Sequence, residues 1–340
     1  MSQHYLEIIN INGQASIQDL GRLDAQHLGF SASGAADEFA FLTANQLISD
    51  HHSITDPDKR QRNCAAIEIT LGQISFRANA ACVIAIAGAD CDAKINDTTI
   101  KNWQCYQLQT NDIITFAMPI NGLHSYLAVM DGFTCQVEQK PWLGSFAQTR
   151  NEMSLGFTGA PLITGSKLYF CAPASRLKKT VVPVKANKPI SSPTRFYAQH
   201  KLTLRVMPSA LFLQMTVEQQ QRFLASEYII SADSNRMGYR LHLKAEQTRL
   251  FDQKILAESL RSRCLLSMPV TYGMIQFPAN EQPIILMKER QTMGGYPVLG
   301  SVMQTDLFRL SQMRPGEKVN FTLINHQQAQ QQLRAFYQKF

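Results

Sequence analysis

Residues 65–76, AAIEITLGQISF, alternate apolar and polar side chains on both sides of Gly72. A period of two puts the apolar residues on one sheet face, and the glycine marks a turn, so this stretch predicts two short strands. Runs of the same type recur at 83–87 (VIAIA), 126–129 (YLAV), 167–171 (KLYFC), 203–207 (TLRVM) and 283–287 (PIILM). Asn96-Asp97 and Asn111-Asp112 provide turn chemistry between such runs. The chain therefore reads as mainly β, with a few short helices.

The helices are predicted at four places. Residues 34–49 put Ala40, Ala44, Leu47 and Ile48 on one face, with Asp37 near the positive N-terminal end. Residues 216–226 open with Thr216 and Gln219 at capping-box spacing. Residues 306–313 are stopped by Arg314-Pro315-Gly316, and 326–340 carry Ala329, Leu333, Phe336 and Phe340 as an amphipathic terminal helix. That last helix is expected to pack on its own body, with partner docking as the alternative.

With 340 residues the chain exceeds the usual size of one domain, so two units are expected. We place them at 1–178 and 202–340, joined by a basic, Pro-containing linker at 179–201. A short internal echo supports two related halves: LQTNDIITF (108–116) and MRPGEKVNF (313–321) each run from a turn and an acid into alternating apolar residues. Each is expected to close a barrel-like unit.

The net charge of +7 is concentrated. No Asp or Glu lies between Met153 and Val217, while nine Lys and Arg residues do, and these exceed the whole excess. They straddle the linker, which reads as a solvated connector, with docking of an acidic partner or substrate as the sharper reading. No basic–aromatic motif accompanies the charge, which argues against nucleic acid. Seven cysteines with no C-x-x-C pair and eight scattered histidines give neither a disulfide framework nor a metal site. The N-terminus lacks a signal-peptide pattern and the most apolar stretch, 80–89, is about half a membrane span, so a cytoplasmic protein without membrane association is expected.

Chemistry is marked in three segments. In residues 16–48, Gly21, Gly29 and Gly34 precede a helix, an arrangement whose N–H groups suit an anion, and Arg22 can clamp a carboxylate or phosphate. The structural alternative is an Asp19–Arg22 ion pair pinning a tight turn. In SADSNRMGYRLHL (231–243), Arg236 and Arg240 share a strand face and Tyr239 takes the other. The densest segment is 273–310, where an apolar strand runs into Glu289, Arg290 and Gln291 and then Gly294, Gly295 and Tyr296. Polar groups at a strand end followed by paired glycines suit a ligand loop; a charged β-turn is the alternative. Glu289 offers a base or acceptor, Arg290 an anion site, and Gln291 both a donor and an acceptor for an amide.

Taken in order, these segments resemble the biotin-dependent carboxyltransferase family, also called allophanate hydrolase subunit 2 or KipA-like proteins. The resemblance rests on IQDLGR (17–22), SGAAD (33–37), ANQLI (44–48), AIEITLG (66–72), AGAD (87–90), YLAV (126–129), RMGYRL (236–241), IQFP (275–278) and KERQTMGGYP (288–297). Ala36 stands where the family usually has Met, Lys288-Glu289 where it has Ala-Asp, and Met293 where it has Thr. Residues 49–65 look like an insertion, while GSFAQT (144–149) and residues 259–272 depart from the family pattern; the last two departures bear on substrate identity.

The resemblance implies two tandem β-barrel units of cyclophilin-like topology. It implies a component of an ATP-dependent 5-oxoprolinase, converting 5-oxo-L-proline to L-glutamate only together with a B-type (KipI-like) and an A-type (LamB/YcsF-like) subunit. On that reading Glu289, Arg290 and Gln291 are catalytic, and Arg22, Ser33, Gly34, Arg236, Tyr239, Gln276, Gly294, Gly295 and Tyr296 bind substrate. No biotinyl-lysine motif or glycine-rich ATP motif is present, so ATP, and biotin if used, would come through partner subunits. The alternatives are carboxyl transfer from carboxybiotin to a urea-like amide, and a non-catalytic regulator binding a kinase-inhibitor partner.

Overall fold

The computed structural model describes residues 3–54, 56, 61–171, 197, 200–243, 267–278 and 282–340. It divides into one unit of Met1–Leu23, Ser33–Ala198 and Phe340, and another of Asp24–Ala32 and Gln199–Lys339. Residues 24–32 thus belong to the second unit, a crossing that a boundary at 178–202 does not contain. Most of the expected linker lies outside the described residues, as do residues 259–266.

The first unit begins with β1 (His4–Ile11), β2 (Gln14–Gln18), helix α1 (Glu38–His51), β3 (Ala66–Thr70), β4 (Ile74–Ala78) and β5 (Cys82–Gly88). It continues through β6 (Lys94–Ile95), β7 (Thr98–Thr99), β8 (Gln104–Leu108), β9 (Ile113–Phe116), β10 (His124–Val129), α2 (Arg150–Ser154) and β11 (Lys167–Phe170). These strands form a six-stranded sheet, β11-β1-β4-β9-β6-β7, and a five-stranded sheet, β2-β3-β10-β5-β8. Inward residues of both sheets, among them Leu6, Phe76 and Phe116 from one and Ile67, Ile84 and Leu127 from the other, share one core. Burying each such side chain contributes roughly 1.5–3 kcal/mol. Strands β5 and β10 are buried along their whole length because α1 covers the face turned away from that core.

The alternating stretch at 65–76 forms β3 and β4, joined at Leu71, Gly72 and Gln73, which all have positive φ. Only glycine fits in the middle, since a Cβ there would meet the Ala117 carbonyl oxygen at 1.9 Å.

The second unit contains β12 (Lys201–Pro208), α3 (Ala210–Gln214), α4 (Val217–Ala225), β13 (Tyr228–Ile230), β14 (Gly238–Leu243), β15 (Met268–Pro269) and β16 (Met274–Gln276). It continues with β17 (Ile284–Leu286), β18 (Met293–Gly294), β19 (Val298–Val302), α5 (Gln304–Leu310), β20 (Lys318–Leu323) and α6 (His326–Tyr337). Seven strands close a barrel in the order β12-β19-β16-β17-β14-β13-β20, sealed by the parallel pairing of β12 with β20. The predicted capping box opens α4, with Thr216 and Gln219 each accepting from the other's backbone N–H. Helix α6 packs on its own unit: Phe336 lies 5.3 Å from Phe308, and Gln304 donates to the Tyr337 hydroxyl.

The two echo segments have different fates. The one at 313–321 leads into β20, the strand that closes the barrel. The one at 108–116 leads into β9, an interior strand of the six-stranded sheet, and the first unit is two sheets on one core rather than a closed barrel. A sheet sandwiched by a facing sheet and a helix buries its strands without needing closure.

Candidate functional site

The expected residues fall into separate units: Arg22, Ser33 and Gly34 into the first, the others into the second. In the first unit the turn after β2 is braced from inside. Asp19 accepts from the Gly21 N–H at 2.7 Å, the Ser145 hydroxyl at 2.6 Å and the Phe146 N–H at 2.7 Å. Asp19 therefore does pin this turn, but through these groups rather than through Arg22. The Arg22 side chain is buried, donates to the Ala147 carbonyl, and lies over the Trp142 ring, which stacks on Phe157.

The N–H groups leading into α1 are of a kind that suits an external anion, yet the protein's own acceptors occupy them. Ala35 donates to the Asp19 carbonyl, Ala36 to Glu68 Oε2 at 2.8 Å, and Asp37 to the Tyr126 hydroxyl at 2.8 Å. Asp37 itself caps the helix by accepting from the Ala40 N–H. Ser33 is fully buried and donates to Gln18, and Gly34 (φ +96°) fits against the Leu20 backbone, where a Cβ would come within 2.8 Å. These are turn-forming roles.

In the second unit, residues 287–290 make a turn at the end of β17, with Arg290 N–H donating to the Met287 carbonyl. The turn is tied to the segment before β14: Met287 N–H donates to the Met237 carbonyl and Glu289 N–H to the Arg236 carbonyl. The side chains repeat that link, since Arg236 Nε donates to Glu289 Oε1 at 2.5 Å. Arg236 lies ahead of β14, not within it, so it does not share a strand face with the exposed Arg240. Tyr239 is buried, and its hydroxyl donates to the Ser311 and Met313 carbonyls.

Arg290 differs from Arg236. It is 7% exposed, its Nε donates to the Val270 carbonyl at 3.4 Å, and one Nη donates to Gln26 Oε1 at 3.2 Å. Gln26 in turn donates to the Val270 carbonyl at 2.7 Å. Among the described residues, the second nitrogen, Nη1, has no hydrogen-bond partner, and no carboxylate pairs with this guanidinium. Burial pulls its pKa below the usual arginine range, with Tyr272 opposing the shift.

A second orphan lies close by. Gln276, 1% exposed at the end of β16, accepts from Gln291 at 3.5 Å, while its own Nε2 has no partner among the described residues. Gly294 packs directly against these groups: a Cβ there would lie 2.4 Å from Gln276 Nε2, 3.2 Å from Val270 Cγ1 and 3.4 Å from Gln291 Nε2. Val270 thus borders both orphans. Native interiors satisfy nearly all buried polar groups, so two unmet donors that both neighbour Val270 stand out.

Of the expected residues, the fold gathers Arg290, Gln276, Gln291 and Gly294 around Val270 and ties Glu289 to Arg236. Gly295 and Tyr296 are exposed beyond β18, and Tyr239 is bound to backbone carbonyls elsewhere in the unit. Gln26 and Val270 were not anticipated. Lys288, buried over the Tyr272 ring at 4.7 Å, is the third cation of this turn region, and its place in KERQ was visible in the sequence.

The family model "Carboxyltransferase domain, subdomain A and B" matches residues 28–323. The chain belongs to this family. It is 28% identical over 324 residues to the C-type subunit of the Escherichia coli 5-oxoprolinase, covering 95% of this chain and 93% of that protein. It is 23% identical over 332 residues to the urea amidolyase of Lachancea kluyveri, of which it spans 17%. Among solved structures, the Kluyveromyces lactis urea carboxylase matches with a TM-score of 0.77 at 20% identity, over 99% of this chain and 29% of that one. This carboxyltransferase-family chain thus spans nearly all of the oxoprolinase component and a fraction of the amidolyase and carboxylase. No helix among its described residues is long and apolar enough to cross a membrane.

Proposed function

We propose that the chain is the C-type subunit of an ATP-dependent 5-oxoprolinase, opening 5-oxo-L-proline to L-glutamate, and that it is inactive without partner subunits. The observation that carries this reading is the end-to-end likeness to a C-type 5-oxoprolinase component, over nearly the whole of both chains. A buried guanidinium lacking an anion suits a substrate that carries a carboxylate.

The chemistry explains why ATP is needed. A lactam carbonyl is a poor electrophile; transfer of a phosphoryl group to its oxygen, with release of ADP, opens the carbon to water. Water then adds, the ring C–N bond breaks, the nitrogen takes a proton, and a second water releases phosphate. Donors placed where the oxygen gains charge lower the barrier. The ATP machinery would reside on the B-type (KipI-like) and A-type (LamB/YcsF-like) partners, since this chain carries no phosphate-binding glycine loop.

Carboxyl transfer from carboxybiotin to a urea-like amide is the second reading, and the urea amidolyase likeness favours it. The test that separates them is ATP-dependent glutamate release from 5-oxoproline by the chain alone and with its co-purifying partners. Turnover only in the complex supports the proposal. No turnover with folded, bound partners rejects it.

A further inference from the structure

We infer that Arg290 and Gln276 form a two-point recognition site for a small monoanionic lactam, with Arg290 Nη1 on its carboxylate and Gln276 Nε2 on its ring carbonyl. This deepens the proposed function and rests on it for the identity of the acid. Three arginines were candidates for the carboxylate. Arg236 already holds Glu289 at 2.5 Å, and Arg22 lies over Trp142 and donates to Ala147. Burial does not separate Arg290 from Arg22, since Arg22 is buried as well; Arg290 has an unmet Nη1, has no acid among the described residues, and shares the Val270 neighbourhood with Gln276. A buried charge left so is costly, and a ligand carboxylate offsets that cost.

The second point of contact follows from the amide chemistry. Gln276 accepts from Gln291, so its oxygen is engaged, while its Nε2 is turned toward Gly294 and has no acceptor among the described residues. A carbonyl oxygen of a planar lactam is the acceptor such a donor takes. Gln26 and the Val270 carbonyl fix the guanidinium in place, so it is set before a ligand arrives. Specificity should follow: a site that leaves a donor unmet rejects the analogue lacking the matching acceptor.

The experiment measures binding to the purified chain, and KM in its partner complex, for 5-oxoproline and for 2-pyrrolidinone, which lacks the carboxylate. Wild type is expected to bind 5-oxoproline at least tenfold more tightly than 2-pyrrolidinone. Arg290→Gln should lose that preference, Arg290→Lys should restore part of it, and Gly294→Ala should weaken both ligands by placing a methyl against Gln276. The Gly294 variant stands in if Arg290→Gln does not fold. Equal binding of the two ligands, or 5-oxoproline affinity unchanged in Arg290→Gln and Gly294→Ala, overturns the inference while leaving turnover by the complex intact. A complex without 5-oxoproline turnover rejects the function instead; Arg290-dependent binding of the acid by the chain would then still support the site. No binding of either ligand by chain or complex overturns the site as well.

Discussion

Arg236 Nε lies 2.5 Å from Glu289 Oε1, while Arg290, the next residue along, is buried with no carboxylate partner among the described residues. One acid therefore neutralises the arginine that reaches it from the β14 side and leaves its own neighbour uncompensated. Neighbouring residues thus have different settings: Glu289 braces the turn, and Arg290 lies buried beside it with no acid among the described residues.

Glu289→Gln tests the bracing role. Both side chains of the pair keep some solvent contact, so losing it should cost about 1–3 kcal/mol, below the range for a fully buried pair. A shifted midpoint in chemical denaturation, with turnover reduced less than in Arg290 variants, is the expected result. Full stability with kcat lowered about a thousandfold would make Glu289 a general base instead.

Gly34→Ala should destabilise the first unit by about 2–4 kcal/mol, because φ of +96° and a backbone 2.8 Å from the new Cβ both oppose it. Thermal denaturation reads this directly. Unchanged stability with weakened ligand binding would return Gly34 to a binding role.

Much of the fold was legible because its signals are local. Alternation around Gly72 marked β3 and β4, and the Thr216–Gln219 spacing marked the start of α4. The site was legible only in part. KERQTMGGYP marked the turn correctly, but Gln26, which orients Arg290, is separated from it by 264 positions and sits in a segment that reads as part of the first half. No pattern in one sequence carries such a contact. The turn before α1 misled for a different reason: its N–H groups do need acceptors, but Glu68 and Tyr126, from β3 and β10, supply them. The acid in AIEIT, on a strand otherwise apolar, was the available clue.

Tyr126→Phe tests that internal network. The hydroxyl donates to Glu68 Oε2 at 2.7 Å and accepts from the Asp37 N–H, so its removal should cost about 1–3 kcal/mol. A stability change near zero, read by urea titration, would mean that other groups or solvent replace it without loss.

Cysteine reactivity should follow burial. Burial pushes the thiols of Cys82 and Cys105 up to about 12, and those of Cys64 and Cys135 up to about 11. At pH 8 each then has roughly one thiolate in a thousand or fewer, while Cys171 is exposed. Iodoacetamide on the native protein, followed by peptide mass mapping, should mark Cys171 well before these four. Rapid native labelling of Cys82 or Cys105 would contradict the packing described.

The most direct test of the central claim is ATP-dependent 5-oxoproline hydrolysis by the partner complex carrying Arg290→Ala. If Arg290 holds the substrate carboxylate, kcat/KM falls by about a hundredfold or more while the complex still assembles, in line with loss of a charge-assisted hydrogen bond at a buried site. Turnover equal to that of the unaltered complex would contradict the account.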